Sequence, residues 1–215
     1  MTVHRFAPIV WYNTLGSHPP ALHIQSGDTV ITETLDAAGV DKDGNRRAGP
    51  SNPMNGPIAL AGAEPGDSLK VEILAMSPIR PTGWTRVGLA ENVVDPEFVR
   101  ELPERNRVTW RIDHNRQVAT IEDATGPLAG VEFPLAPMIG CFGVAPSTGQ
   151  AISTTTSAKH GGNMDYRRFG PDTTAWFPVS APGALFFLGD CHALQGDGEI
   201  CGTGIETCYE VTVRL

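Results

Sequence analysis

Gly183-Ala-Leu-Phe-Phe-Leu-Gly-Asp190-Cys-His192-Ala-Leu-Gln195-Gly-Asp197-Gly-Glu199-Ile-Cys-Gly-Thr-Gly-Ile-Glu206 is the stretch around which the rest of this chain reads. The apolar run from Ala184 to Leu188 has the character of an approach strand and leads straight into Asp190 and His192. In extended backbone, residues two apart project to the same face, so Asp190 and His192 are expected to point the same way. A Gly-rich corner follows, and Glu199 stands at the start of what reads as the next strand. A turn centred between Gln195 and Gly196 sets His192 opposite Glu199 across a hairpin, whereas a turn on Gly196-Asp197 breaks that pairing. In either register, carboxylates and an imidazole converge beside glycines that let a ligand approach the backbone. The same residues also suit a plain polar corner, with Asp190 capping backbone amides and Glu199 solvated.

Working outward, the body of the chain has the period-2 pattern of half-buried strands. Leu69, Val71 and Ile73 alternate with Lys70 and Glu72; Val108, Trp110 and Ile112 alternate with Thr109, Arg111 and Asp113. Gln117 to Ile121 is placed to pair back across the Asn115 turn, and Asp28 to Leu35 is rich in Thr, Val and Ile. At the carboxyl end Tyr209, Val211, Val213 and Leu215 share one face. Glu64-Pro65-Gly66-Asp67 carries the Pro-Gly step of a type II turn. The best helix signal is Pro96 to Glu101, with Asp95 as N-cap and Pro103 as terminator. Asp41 to Asn55 is expected as a long loop, a length that in compact domains is often functional. With 24 glycines and 18 prolines as punctuation, the expected fold is all-β, sandwich or barrel-like, with a few short helices. The 215 residues suffice for one domain spanning residues 1–215, with room for two β lobes.

Composition removes several partner classes. The net charge is −8 and the basic residues are scattered, with nothing longer than Arg46-Arg47 or Arg167-Arg168, which argues against nucleic acid or anionic membrane as partner. No apolar run approaches the ~20 residues of a membrane helix, and the amino terminus does not read as a signal peptide. Cys141, Cys191, Cys201 and Cys208 form no CxxC pair and are expected to be free thiols in a reducing cytoplasm. Cys191 and Cys201 flank the His192–Glu199 corner and are also candidate nucleophiles. No G-x-S-x-G, P-loop or HExxH is present.

A second polar constellation is Lys159-His160-Gly-Gly-Asn163-Met-Asp165, in which paired glycines permit unusual backbone angles between polar side chains. His and Asp are ligands for zinc-like metals, although a Gly-Gly turn with an Asn or Asp cap uses the same residues. Glu33 and Asp36 close a strand before Ala37-Ala38-Gly39, where simple strand-end charges are also common.

Taken in order, these motifs resemble the acetamidase/formamidase family. The resemblance runs from about Ala21 to the end, through Asn55-Gly-Pro-Ile58, Gly62-Ala-Glu-Pro-Gly-Asp67, Pro137-Met-Ile-Gly140, Gly143-Val-Ala-Pro146, His160-Gly-Gly-Asn-Met-Asp165 and Gly189-Asp-Cys-His192-Ala-Leu-Gln195-Gly-Asp-Gly-Glu199. Two features depart from it: the compact passage from Ile121 to Pro134, and Ser157-Ala-Lys159 before His160. The resemblance implies a mostly β fold and hydrolysis of short aliphatic amides to ammonia and a carboxylate.

An unactivated amide resists water, so a hydrolase without a covalent nucleophile needs an activated water, a carbonyl polariser and a proton for the leaving amine. A divalent metal, zinc first among them, supplies the first two. On this reading Asp165 and His192 are metal ligands, with His160 and Asp36 as candidates to complete the set. Glu199 is the general base and then the acid, Asp190 orients His192 or nearby backbone, and Asn163 and Gln195 hydrogen-bond the substrate amide. The alternatives are a metal-free, cysteine-dependent amidase and a small-ligand binding protein on the same scaffold. A homo-oligomer is expected, without an identifiable interface.

Overall fold

The computed structural model describes residues 1–147 and 149–215. Strands dominate, and helical structure is confined to short 3-10 turns such as Glu91–Val93, Pro96–Glu101 and Asp197–Glu199. The all-β expectation holds, and among the described residues the sheets stay open rather than closing into a barrel.

One five-stranded sheet runs in the order Val3–Phe6, Thr29–Glu33, Tyr209–Arg214, Ser68–Pro78, Thr173–Pro178. Its strands alternate as the sequence predicts: Leu69, Val71, Ile73, Tyr209, Val211 and Val213 are buried, while Lys70 and Thr212 are not. A six-stranded sheet has the order Ser157–Ala158, Gly161–Asn163, Met138–Val144, Phe186–His192, Asn55–Leu60, Leu22–Ile24. Every residue of Met138–Val144 and of Phe186–His192 is buried. Both faces are covered, which is why these segments read as continuous apolar runs rather than alternations. Phe142, Val144, Phe186 and Leu188 join the residues of the first sheet in the main core. Cys141, Leu185 and Phe187 enter a second cluster with Leu15 and Met54. A four-stranded sheet, Phe133–Pro134, Val118–Ile121, Arg107–Asp113, Thr82–Arg86, adds Trp110, Ile112 and Ala119 to the main core.

Three local expectations are corrected. Glu199 does not begin a strand: it ends the 3-10 turn Asp197–Glu199, and the residue bridged to His192 is Glu206. Gly198 (φ 77°) and Glu199 (φ 43°) both occupy left-handed backbone, which closes this corner tighter than a hairpin would. The Pro96–Glu101 segment is a 3-10 helix, and Asp95 caps it with no side-chain hydrogen bond. The Asp41 to Asn55 loop does not run unpaired to its end, because Met54 bridges Tyr12 and Asn55 opens a buried strand. The type II turn is present, with Asp67 N–H donating to Glu64 O at 3.0 Å and Gly66 at φ 105°.

Candidate active site

Face alternation along the central strand pair breaks at one level, and the site lies there. Leu188 and Cys191, three apart, both face the main core, as do Ile139 and Phe142 on the neighbouring strand. Between them Gly140 and Asp190 drop out of the ladder, and Asp190 takes left-handed backbone at φ 56°. Asp190 and His192 thereby escape the core that the apolar run builds. Gly140 is required by what lies opposite: a Cβ there would stand 2.6 Å from Asp165 Oδ1 and 2.9 Å from Asp190 Oδ2.

Four other segments bring side chains to this point. Asp165 follows the Gly161–Asn163 strand at φ 44°, its N–H and that of Met164 both donating to Gly140 O. Glu199 arrives from its 3-10 turn. Glu206 is bridged to His192 on one side and Trp84 on the other. Asn52, at φ 57° in the long loop, donates to Asn163 Oδ1 at 2.6 Å and to Asp190 Oδ2 at 2.9 Å. Non-glycine residues in left-handed backbone carry a conformational cost and gather where the surroundings over-determine them, typically at functional sites. Asn52, Asp165, Asp190 and Glu199 all do so here, and all line one cavity of about 240 Å³.

His192 is the hub. Gln195 donates its Nε2 to the Asp165 carbonyl at 2.6 Å, which turns its Oε1 toward His192 Nδ1 at 2.8 Å. Nδ1–H therefore donates to Gln195, and Nε2 faces carboxylates: Glu206 Oε1 at 3.1 Å and Asp190 Oδ1 at 3.5 Å. Although Glu206 is close, Nε2 makes no aligned hydrogen bond, and Asp165 Oδ1 and Glu206 Oε2 are also buried without a partner. Buried polar atoms are otherwise almost always satisfied. Two groupings that share His192, one with Asp165 and Asp190 and one with Glu199 and Glu206, each bring ligand atoms within 4.8 Å of one another. An imidazole nitrogen ringed by carboxylate oxygens is a donor set for a divalent cation.

The charges are strongly perturbed. Burial, then the charge of Asp165, pushes Glu199 up to about 8. Burial also drives Glu206 up to about 7, and burial with the Asp190 charge lifts Asp165 to about 6. Burial alone would lower His192, but Glu206 and Asp190 outweigh it and hold the imidazolium well above its usual range. These groups titrate as a set and share protons around neutral pH, the range in which a general acid or base works.

The structure thus brings together Asn163, Asp165, Asp190, His192, Gln195 and Glu199. It does not bring Asp36 or His160 to them. Both Asp36 oxygens are taken, Oδ1 by the N–H groups of Ala38 and Val40 and Oδ2 by Arg80 and Trp84. A carboxylate offers about four lone-pair sites, so none remains for a metal. His160 is buried and lies outside both groupings; only burial shifts it, downward, with no carboxylate contributing. Cys191 points into the main core, and burial pushes its thiol up to about 12, far from a nucleophile. Two site residues carry no sequence expectation of their own. Asn52 belongs to a loop flagged only for its length, and Glu206 gains its role through an isolated bridge to His192 just before the final strand.

The model of the Acetamidase/Formamidase family matches residues 16–150 and 148–215. An acetamidase from Mycolicibacterium smegmatis is 28% identical over 211 residues, covering 71% of this chain and 50% of that protein. The solved structure of an acetamidase from Bacillus halodurans superposes with a TM-score of 0.79 at 31% identity, covering 98% of this chain and 69% of that one. An acetamidase from Yersinia enterocolitica gives a TM-score of 0.81 at 29% identity, covering 99% and 67%. The chain spans 50% and 47% of the length of the acetamidase and formamidase relatives from Mycolicibacterium smegmatis and Methylophilus methylotrophus.

Proposed function

The chain belongs to the acetamidase/formamidase family, and from that premise we propose that it hydrolyses a short linear amide to ammonia and a carboxylate, assisted by a divalent metal. One observation carries the reading: Asp165 Oδ1, His192 Nε2 and Glu206 Oε2 are buried and unpartnered, Asp165 and Glu206 line one small cavity, and His192 belongs to a ligand grouping with each of them. Leaving such groups unpaired costs about 1–3 kcal/mol each, so a cation or substrate is the natural partner.

Asp165, Asp190 and His192, joined by Glu206, are the proposed metal ligands, and zinc suits their nitrogen and oxygen donors. Bound there, the metal would bring a water's pKa to about 7 and polarise the amide carbonyl. Both ends of the Gln195 amide are taken, by His192 Nδ1 and the Asp165 carbonyl, so Gln195 holds the imidazole rather than the substrate, with Nε2 turned to the Glu206 and Asp190 carboxylates. Glu199 is the general base: it takes a proton from the attacking water and returns it to the departing nitrogen. A carboxyl raised from the usual range toward neutral pH is matched to both taking up and returning a proton there. Asn163 keeps one amide N–H and Asn52 its Oδ1 for the substrate, and Asp190 holds Asn52 in place. The cavity, at about 240 Å³, lies below the ~300–1,000 Å³ of drug-sized sites, which favours a small acyl group. Four free cysteines, most of them buried, agree with a reducing cytoplasm. Homo-oligomerisation would cover the exposed Val87, Leu89, Val93 and Ile200, joined through the Ala90 N–H to Ile200 O hydrogen bond.

Ammonia release from formamide through butyramide, by the wild-type protein and by Glu199→Gln, tests this proposal. Turnover that falls about 100-fold or more in the variant, with the melting temperature kept, is expected. Equal turnover in the two would remove Glu199 from the chemistry.

A further inference from the structure

The wall facing the acidic floor is basic. Trp84 and Arg86 on the Thr82–Arg86 strand, and Arg107 on Arg107–Asp113, line the same cavity as Asp165, Asp190, Glu199 and Glu206. Arg86 and Arg107 are register partners, so their side chains leave the same face of the sheet directly opposite one another. Like charges in that position destabilise a strand pair. The Arg107 guanidinium lies 3.8 Å from the centroid of the Trp84 ring, which fixes its plane and leaves its fork free.

The arginines nearby are occupied. Arg80 pairs with Asp36, Arg111 with Glu122, and Arg105 donates to the Cys201 carbonyl. Among the described residues the Arg86 side chain reaches only the Arg105 carbonyl, at 3.3 Å. Among the described residues neither Arg86 nor Arg107 has a carboxylate within the 4.0 Å of an ion pair.

Arg86 and Arg107 are solvent-exposed where they line the cavity, and a pair of arginines without a carboxylate partner, sharing a small cavity with hydrolytic side chains, is suited to an incoming anion. We propose that the substrate is a small amide bearing a carboxylate, held by Arg107 and Arg86 while its amide reaches the Asp165–His192–Glu199 floor; this rests on the hydrolase reading above. The planar fork of arginine matches a carboxylate with two parallel hydrogen bonds. A monoanion also suits the site better than a dianionic phosphate, because the acids opposite repel charge in proportion. In the reaction water adds to the amide carbon, the C–N bond breaks, water's proton passes to nitrogen, and ammonia leaves beside a dicarboxylate.

The test uses two amides of nearly equal shape that differ in charge: malonamate, an anion, and malonamide, neutral, with succinamate and succinamide as the longer pair. kcat/KM is measured for each with the wild-type protein, Arg107→Ala, Arg107→Lys and Arg86→Gln, with melting temperatures as the check on folding. The wild type is expected to prefer the anionic member of a pair by about 10- to 100-fold, the worth of a charge-assisted hydrogen bond. That ratio should fall toward one in Arg107→Ala through KM rather than kcat, and Arg107→Lys should keep part of it. If the neutral amides are turned over but no preference exists, or the ratio survives Arg107→Ala and Arg86→Gln alike, the inference fails and the hydrolase reading stands. If no amide of either charge or of the simple aliphatic series is turned over, both fail.

Discussion

Gly204 offers a sharp test of the site because the perturbation is a single methyl group. A Cβ at this position would lie 2.6 Å from Cγ and Nδ1 of His192, about 0.8 Å short of ordinary contact at 3.4 Å. Gly204 is not in left-handed backbone, so Gly204→Ala adds no conformational strain and the contact acts alone. The imidazole has little room to yield: Gln195 holds Nδ1 at 2.8 Å, and the His192 side chain is 1% exposed. Overpacking of this kind costs about 1–3 kcal/mol. At about 2–4 °C per kcal/mol for a protein of this size, the melting temperature should fall by about 2–12 °C. Activity should suffer more, because displacing a catalytic group by about 1 Å costs up to ~100-fold. Thermal melting and ammonia release on the same preparation measure both. Gly196→Ala is the control, since nothing lies within 4 Å of its Cβ and its φ is −76°. A Gly204→Ala protein with wild-type melting and wild-type turnover would refute the placement of His192.

The metal-stripped protein should lose stability as pH rises. Asp165, Glu206 and Glu199 are raised to about 6, 7 and 8, so the folded state keeps protons that the unfolded chain gives up. His192, raised as well, acts in the same direction, and its contribution is fully present only below the ordinary imidazole value of 6.5. Melting temperatures measured from about pH 4 to about pH 8 should therefore decline, and added zinc should reverse the trend by displacing those protons; a flat or rising profile without metal would contradict the shared-proton cluster. Asp36→Ala should cost about 3–5 kcal/mol, because it leaves Arg80, whose side chain is 10% exposed, without its partner; denaturant unfolding reads this directly, and a cost under about 1 kcal/mol would show the pair to be peripheral. Cys191→Ala should keep turnover within about threefold once folded, since its thiol packs in the core; loss of activity with an unchanged melting temperature would restore the cysteine mechanism.

Much of the fold was legible because alternation is a local signal. Leu69, Val71 and Ile73, or Tyr209, Val211 and Val213, show which face is buried without reference to any partner strand. The site was legible only in part. Asp190, His192 and Asp165 stand out by sitting where apolar or glycine-rich strands turn polar. The partner of His192 stayed open between two turn registers, because the register depends on backbone geometry that the residue pattern does not show. Left-handed residues at Gly198 and Glu199 instead fold the corner into a 3-10 turn and pass the bridge to Glu206. Asp36 was credited as a ligand because a strand-end acid carries no mark of its partner; Arg80 lies 44 residues away in sequence. Asn52 could not be singled out, since its role depends on loop backbone that delivers it to Asn163 and Asp190, 111 and 138 residues distant. The Arg86–Arg107 pairing likewise exists only once the register of two strands is known.

The central claim is that the Asp165–Asp190–His192–Glu206 cluster holds the metal on which amide cleavage depends. The most direct test is ammonia release from short amides by one preparation before chelation, after chelation and after readdition of zinc, with bound metal measured at each stage. The account predicts turnover that disappears with the metal, returns with about one equivalent of zinc, and does not return in Asp165→Asn/His192→Gln. Full turnover by protein shown to be free of metal, or zinc bound equally well by that double variant, would contradict it.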